Sequence, residues 1–178
     1  MFTDGRSRRV VFLAHCLLNQ NAISDGTAEV PAAHREILRL ILDAQVSVAQ
    51  MPCPELCCLG LDRGDVHGAE RPVVEENTRI RRAMEKDGPR QKREALADLV
   101  AEQVQEYHKH GFQVLGIVGA NRSPNCGLET TSDFDREVES RGAFMEAIAQ
   151  RLEAAGISVP MLGLKGSDDA AQKVAALL

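Results

Sequence analysis

The chain has 178 residues, 44% hydrophobic and 26% charged, enough to bury the core of one domain. A formal charge of −5 from 21 basic and 26 acidic residues, with 3% aromatics and no tryptophan, speaks against a nucleic-acid surface or a base-stacking platform. No run approaches the ~20 apolar residues needed to span a bilayer, and five cysteines with 14 glycines fit neither a disulfide framework nor a collagen.

The first predicted element is the continuous apolar run Val10–Ala14, a strand buried on both faces as in a parallel sheet. Arg6, Arg8 and Arg9 before it and Cys16 after it give a faint lipoprotein-signal pattern. The run is shorter than the ~7–15 residues of a signal core, and His15 stands where a small residue is required. An odd number of cysteines then places the chain in a reducing, cytoplasmic setting. Residues 32–44 form an apolar helix, and Val46–Met51 a second strand closed by Pro52 and Pro54. Residues 59–89 are polar and glycine-rich, a long excursion with one helix around Glu75–Lys86. Leu96, Leu99, Val100, Val104 and Tyr107 mark an amphipathic helix over 90–110, with Gly111 as its C′ residue. A third strand at Val114–Val118, a helix over 141–155 stopped by Gly156 and a fourth strand at Ile157–Leu164 follow. Asp168 is the expected cap of a last helix. This alternation predicts a single-domain α/β fold over 1–178. It is Rossmann-like and doubly wound, with a mostly parallel sheet of about four strands and flanking helices.

Cys16, Cys53 and Cys126 each follow a predicted strand. Loops at the carboxyl ends of parallel strands form the ligand crevice of such sheets, so topology brings three thiols to one edge. Three thiols suit a soft centre, zinc or an iron–sulfur cluster, although cysteine also fills space in cores. Glu55, two residues past Cys53, is the candidate proton carrier, although by residue type alone a solvated side chain after a turn is the commoner reading. Ser123 and Asn125 flank Pro124 ahead of Cys126, with polar groups for a substrate or plain turn chemistry. His15 is a candidate proton carrier or a buried histidine, Asn19 and Asn21 close the loop around Cys16, and Arg63 is placed to bind an anionic group or a carboxylate. Cys57 and Cys58 are packing residues or a redox pair. Cys57, four positions past Cys53, is the candidate for a displaceable fourth ligand.

The motifs His-Cys-Leu-Leu-Asn-Gln-Asn at 15–21, Cys-Pro-Glu at 53–55 with Gly60 and Arg63 after it, and Ser-Pro-Asn-Cys-Gly at 123–127 resemble those of the DUF523 superfamily. That group includes the thiouracil desulfidases (TudS), and the first motif is most similar to the TudS-related desulfidase branch. The resemblance implies a 4Fe–4S cluster on Cys16, Cys53 and Cys126, with one open iron that takes the sulfur of a small thiolated heterocycle. The resemblance strengthens Glu55 as a catalytic residue; beside it Ser123 is the second catalytic candidate, and Asn125, Asn19 and Arg63 are the substrate-binding candidates. The chain departs from the better-known desulfidases at Leu56–Asp62 and at Asn125, both in segments that line the implied site. A non-catalytic zinc or iron–sulfur protein and a thiol redox protein are the alternatives.

Overall fold

The computed structural model describes residues 2–166 and 169–178. Strand β1 (Arg9–Leu13) has Val10 through Leu13 fully buried, as its unbroken apolar run requires. It leads into a single helical turn, α1 (His15–Leu18), and an irregular segment to α2 (Arg35–Asp43). Strand β2 (Ser47–Gln50) ends before Pro52, and α3 (Pro54–Leu59) begins at once with Pro54 at its first position, where a missing N–H costs nothing. The remaining elements are α4 (Val73–Met84), α5 (Asp87–Lys109), β3 (Gln113–Ala120), β4 (Thr130–Asp133), β5 (Arg136–Glu139), α6 (Ala143–Ala154), β6 (Met161–Leu164) and α7 (Ala170–Leu177). The expected cap Asp168 lies outside the described residues.

Four parallel strands form the main sheet in the order β2-β1-β3-β6. Helices α2 and α7 pack together as one layer, and α5 and α6 as another. The doubly wound α/β fold expected from the alternation is therefore present. Phe12, Ile117 and Val118 from the strands and Ile41, Val104, Ile148 and Val174 from the helices are wholly buried. Each such side chain contributes ~1.5–3 kcal/mol of burial energy. Pairing of β1 with β3 slips between Val10 and Val11, leaving Leu115 as the extra residue of a bulge.

Three expectations need correction. The excursion over 59–89 does carry its expected helix, as α4, but it is shorter than expected: α3 ends only at Leu59, a 3-10 turn covers Gly68–Glu70, and α5 already starts at Asp87. Pro89 lies in the first turn of α5 and so does not stop it. The fourth strand is only Met161–Leu164, because Pro160 cannot donate to a ladder. An antiparallel hairpin, β4–β5, was not expected at all. It turns on Phe134 and Asp135, both at positive φ (52° and 57°), the two-residue turn that usually favours Asn-Gly.

Candidate functional site: three strand ends around one cavity

The carboxyl ends of β1, β2 and β3 carry the site. The chain order reverses between β1 and β3, where open parallel sheets present their crevice. Cys16 sits in α1, directly after β1. Cys53 caps α3, its Sγ accepting the Leu56 N–H at 3.4 Å. Cys126 sits in the loop after β3, and that loop is built by side chains rather than by a ladder. Asn121 Oδ1 accepts the N–H groups of Leu128, Glu129 and Thr130 at 3.2, 3.1 and 3.3 Å. Ser123 Oγ accepts those of Asn125 and Cys126 at 3.3 and 3.0 Å. The Cys126 carbonyl accepts the Ala120 N–H and lies flat on Gly119, where any Cβ would overlap it.

The three thiols face a cavity of about 380 Å³ that His15, Glu55, Arg63 and Ser123 also line. Glu55 is 7% exposed and fully engaged. Its Oε1 accepts from Asn125 Nδ2 at 3.0 Å and Ser123 Oγ at 3.3 Å, and its Oε2 from Arg63 Nε at 3.2 Å. Arg63, 2% exposed, reaches this position from a residue at φ +53°. It also donates to the carbonyls of Gly60 (2.7 Å) and Ala22 (2.6 Å), and its Nη2 stands 3.9 Å from Cys53 Sγ. Of the two sequence readings of Arg63, the carboxylate partner is the one present. Asn125 is buried behind Glu55, and its Oδ1 has no hydrogen-bond partner among the described residues. Asn19 does not line the cavity; its side chain accepts the Asn21 N–H and touches His15 Nε2. Cys57 and Cys58 do not line it either, and Cys58 Sγ lies against the Pro89 carbonyl.

The cavity is hostile to thiolates in its metal-free form. Burial pushes Cys16 up to about 12, and the neighbouring Cys53 and Glu55 charges add to the rise. Burial and then Glu55 push Cys53 up to about 11. Burial, followed by Cys53 and Cys16, holds Cys126 well above the ordinary thiol value. Cys126 thus senses both other sulfurs and Cys16 senses Cys53, and bound cationic metal would reverse the sign of these effects. Burial, then the Arg63 charge, lowers His15, which favours neutral imidazole. Among the described residues no group of three or more His, Cys, Asp or Glu side chains is gathered about a single ion's position. Cys16, Cys53 and Cys126 supply three soft sulfur donors to one cavity, a donor set that suits zinc and an iron–sulfur centre alike.

Two supports are absent from the sequence reading. The segment carrying Arg63 is fixed by Glu76 of α4, which accepts from Arg79 at 2.6 Å and Arg71 at 2.9 Å, while Arg79 Nη2 donates to the Arg63 carbonyl at 3.0 Å. The i,i+3 spacing of Glu76 and Arg79 was the available signal. The other is the triple acceptor Asn121, for which residue type alone signals only a turn.

No known family model matches the chain, and no solved structure matches it. The chain is 24% identical over 148 residues to an uncharacterized protein of Methanocaldococcus jannaschii, a match that spans 80% of this chain and 86% of that one.

Proposed function

We propose that the protein is a TudS-related desulfidase of the DUF523 type, which hydrolyses the C–S bond of a small thiolated heterocycle such as a thiouracil-type base. The convergence of Cys16, Cys53 and Cys126 with Glu55 and Ser123 on one cavity supports this reading. Cys16, Cys53 and Cys126 would hold a 4Fe–4S cluster. When bound, the cluster supplies a Lewis-acidic iron for a soft thione sulfur.

The chain's own residues manage water and protons. In the net reaction a water oxygen bonds to the thione carbon, the C–S bond breaks, and the two water protons leave with the sulfur as hydrogen sulfide. Ser123 Oγ donates to Glu55 Oε1, so a proton released at Ser123 Oγ can be held on that carboxylate and returned. Arg63 on Oε2 and Asn125 Nδ2 on Oε1 fix the carboxylate's orientation. Asn125 Oδ1 has acceptor capacity to spare beside it. Backbone N–H groups pin Ser123 Oγ, which leaves its own hydrogen directed at Glu55.

The test is anaerobic purification and reconstitution, followed by iron and acid-labile sulfide analysis and an assay of sulfide released from a thiouracil-type base. The expected result is iron and labile sulfide in equal amounts, with turnover. Cys16→Ser, Cys53→Ser and Cys126→Ser should lose the cluster, and Cys58→Ser should keep it. Zinc without labile sulfide, and no turnover, would favour the non-catalytic metal-binding alternative.

A further inference from the structure

Residues 23–34 contain no regular structure, yet Ile23, Ser24, Thr27, Glu29 and His34 form a whole side of the cavity. Internally the segment makes only local bonds, such as Thr27 N–H and Oγ1 to the Ser24 carbonyl and Gly26 N–H to Asp25. Its ties to the rest of the molecule run mainly through one residue, Gln20, by side chain and backbone. Gln20 is 4% exposed. Its Oε1 accepts the Glu29 N–H at 2.9 Å, its backbone N–H donates to the Ala32 carbonyl at 2.7 Å, and its Nε2 meets His34 Nε2 at 3.3 Å. The same Nε2 donates to the Cys16 carbonyl at 2.8 Å. A further tie, His34 N–H to the Leu17 carbonyl, only closes the segment's end.

We propose that Gln20 is a latch: it fastens segment 23–34 to the Cys16 turn and so sets the outer wall of the cavity and the hold on whatever occupies it. Gln20 touches no reacting atom and is a positioning residue. The amide is suited to this because it offers an acceptor and two donors from one buried planar group. Its acceptor fixes the wall and its donors fix the carbonyl of Cys16, so wall and thiol turn move together. Loss of either half leaves a buried partner unsatisfied. The structural part of this inference is independent of the reaction; the kinetic part rests on the desulfidase reading.

The experiment compares wild-type protein with Gln20→Met, which keeps length and burial but removes every side-chain bond. Amide hydrogen exchange over 23–34 should speed up about tenfold, the equivalent of one buried hydrogen bond, while exchange in β1, β3 and α5 stays unchanged. With a thiouracil-type base and reconstituted protein, KM should rise about tenfold and kcat should stay within about threefold. Gln20→Glu keeps the acceptor for the Glu29 N–H and should restore that amide's protection. It also stands in if Gln20→Met fails to fold. Unchanged exchange over 23–34, or a rise spread evenly over the whole chain, would overturn the latch. Local loosening in a protein that releases no sulfide would sink the desulfidase reading and leave the latch intact.

Discussion

Glu55 and Arg63 are stable in the interior only as a pair, since each is more than nine-tenths buried. Glu55→Gln removes the charge but not the shape, and leaves an amide donor facing either Arg63 or Asn125. The expected outcome is a stability loss of about 3 kcal/mol in urea denaturation, with cluster retained and sulfide release reduced ~100- to 10,000-fold. Full turnover in that variant would remove Glu55 from the chemistry. Glu76 gives a pH-dependent counterpart. Its bond to Arg79, and further charge from Arg79 and Arg71, hold its carboxyl below the ordinary 4.5 despite burial. A depressed folded-state pKa adds stability that is present above the unfolded value and is lost as pH falls through the folded one. Glu76→Gln should therefore cost about 1–3 kcal/mol at pH 7 and much less at pH 3, read from urea midpoints at the two pH values. Equal losses at both would mean that packing, and not charge, is what Glu76 contributes.

At the scale of elements, β3 and the loop after it fit each other through missing side chains. Gly119 is extended strand, not a turn, and it is glycine because the Cys126 carbonyl rests on its Cα. Gly119→Ala must push that loop away, and Leu128 and Met145 at 3.1 Å block the alternative direction. The expected result is a loss of about 1–3 kcal/mol and poor iron incorporation per folded molecule. Normal iron content would mean that the Cys126 loop adjusts freely. Elements carried by apolar pattern were legible beforehand: β1 from its unbroken run, α5 from its apolar face, and both helix stops from Gly111 and Gly156, which take positive φ. The β4–β5 hairpin was not. Its first strand reads Thr-Thr-Ser-Asp, and its turn uses Phe-Asp where Asn-Gly would have announced it. Its place comes from α4 packing across it and from Arg81 donating to the Ser132 carbonyl and Thr131 Oγ1.

For the whole molecule, the order β2-β1-β3-β6 is what makes three separate loops neighbours. That much of the site was legible, because strand ends could be read and topology does the rest. The roles within it were less so. Whether Glu55 faces water or Arg63, and whether Asn19 faces the cavity or caps its own turn, depends on tertiary contacts that no spacing encodes. A ligand that joins all three strand ends should stabilise the folded state by linkage. Reconstitution with iron and sulfide is expected to raise the thermal midpoint by roughly 10 °C, and exposure to air should reverse it. An unchanged midpoint would mean that iron binds outside the three-thiol cavity. No helix among the described residues is long and apolar enough to cross a membrane.

The same strand order also fixes when the cavity can come into being. β1 pairs on one side with β2 and on the other with β3, whose residues lie more than half the chain further on. Parallel partners this distant in sequence carry a high loop-closure cost and dock late. Cys16 and Cys53 leave the ribosome long before Cys126 exists, and even then the third thiol arrives only as β3 slots in beside β1. The three thiols therefore become neighbours only once β3 lies beside β1, and anything that loads the proposed centre would have to recognise that assembled sheet and not its first two strands alone.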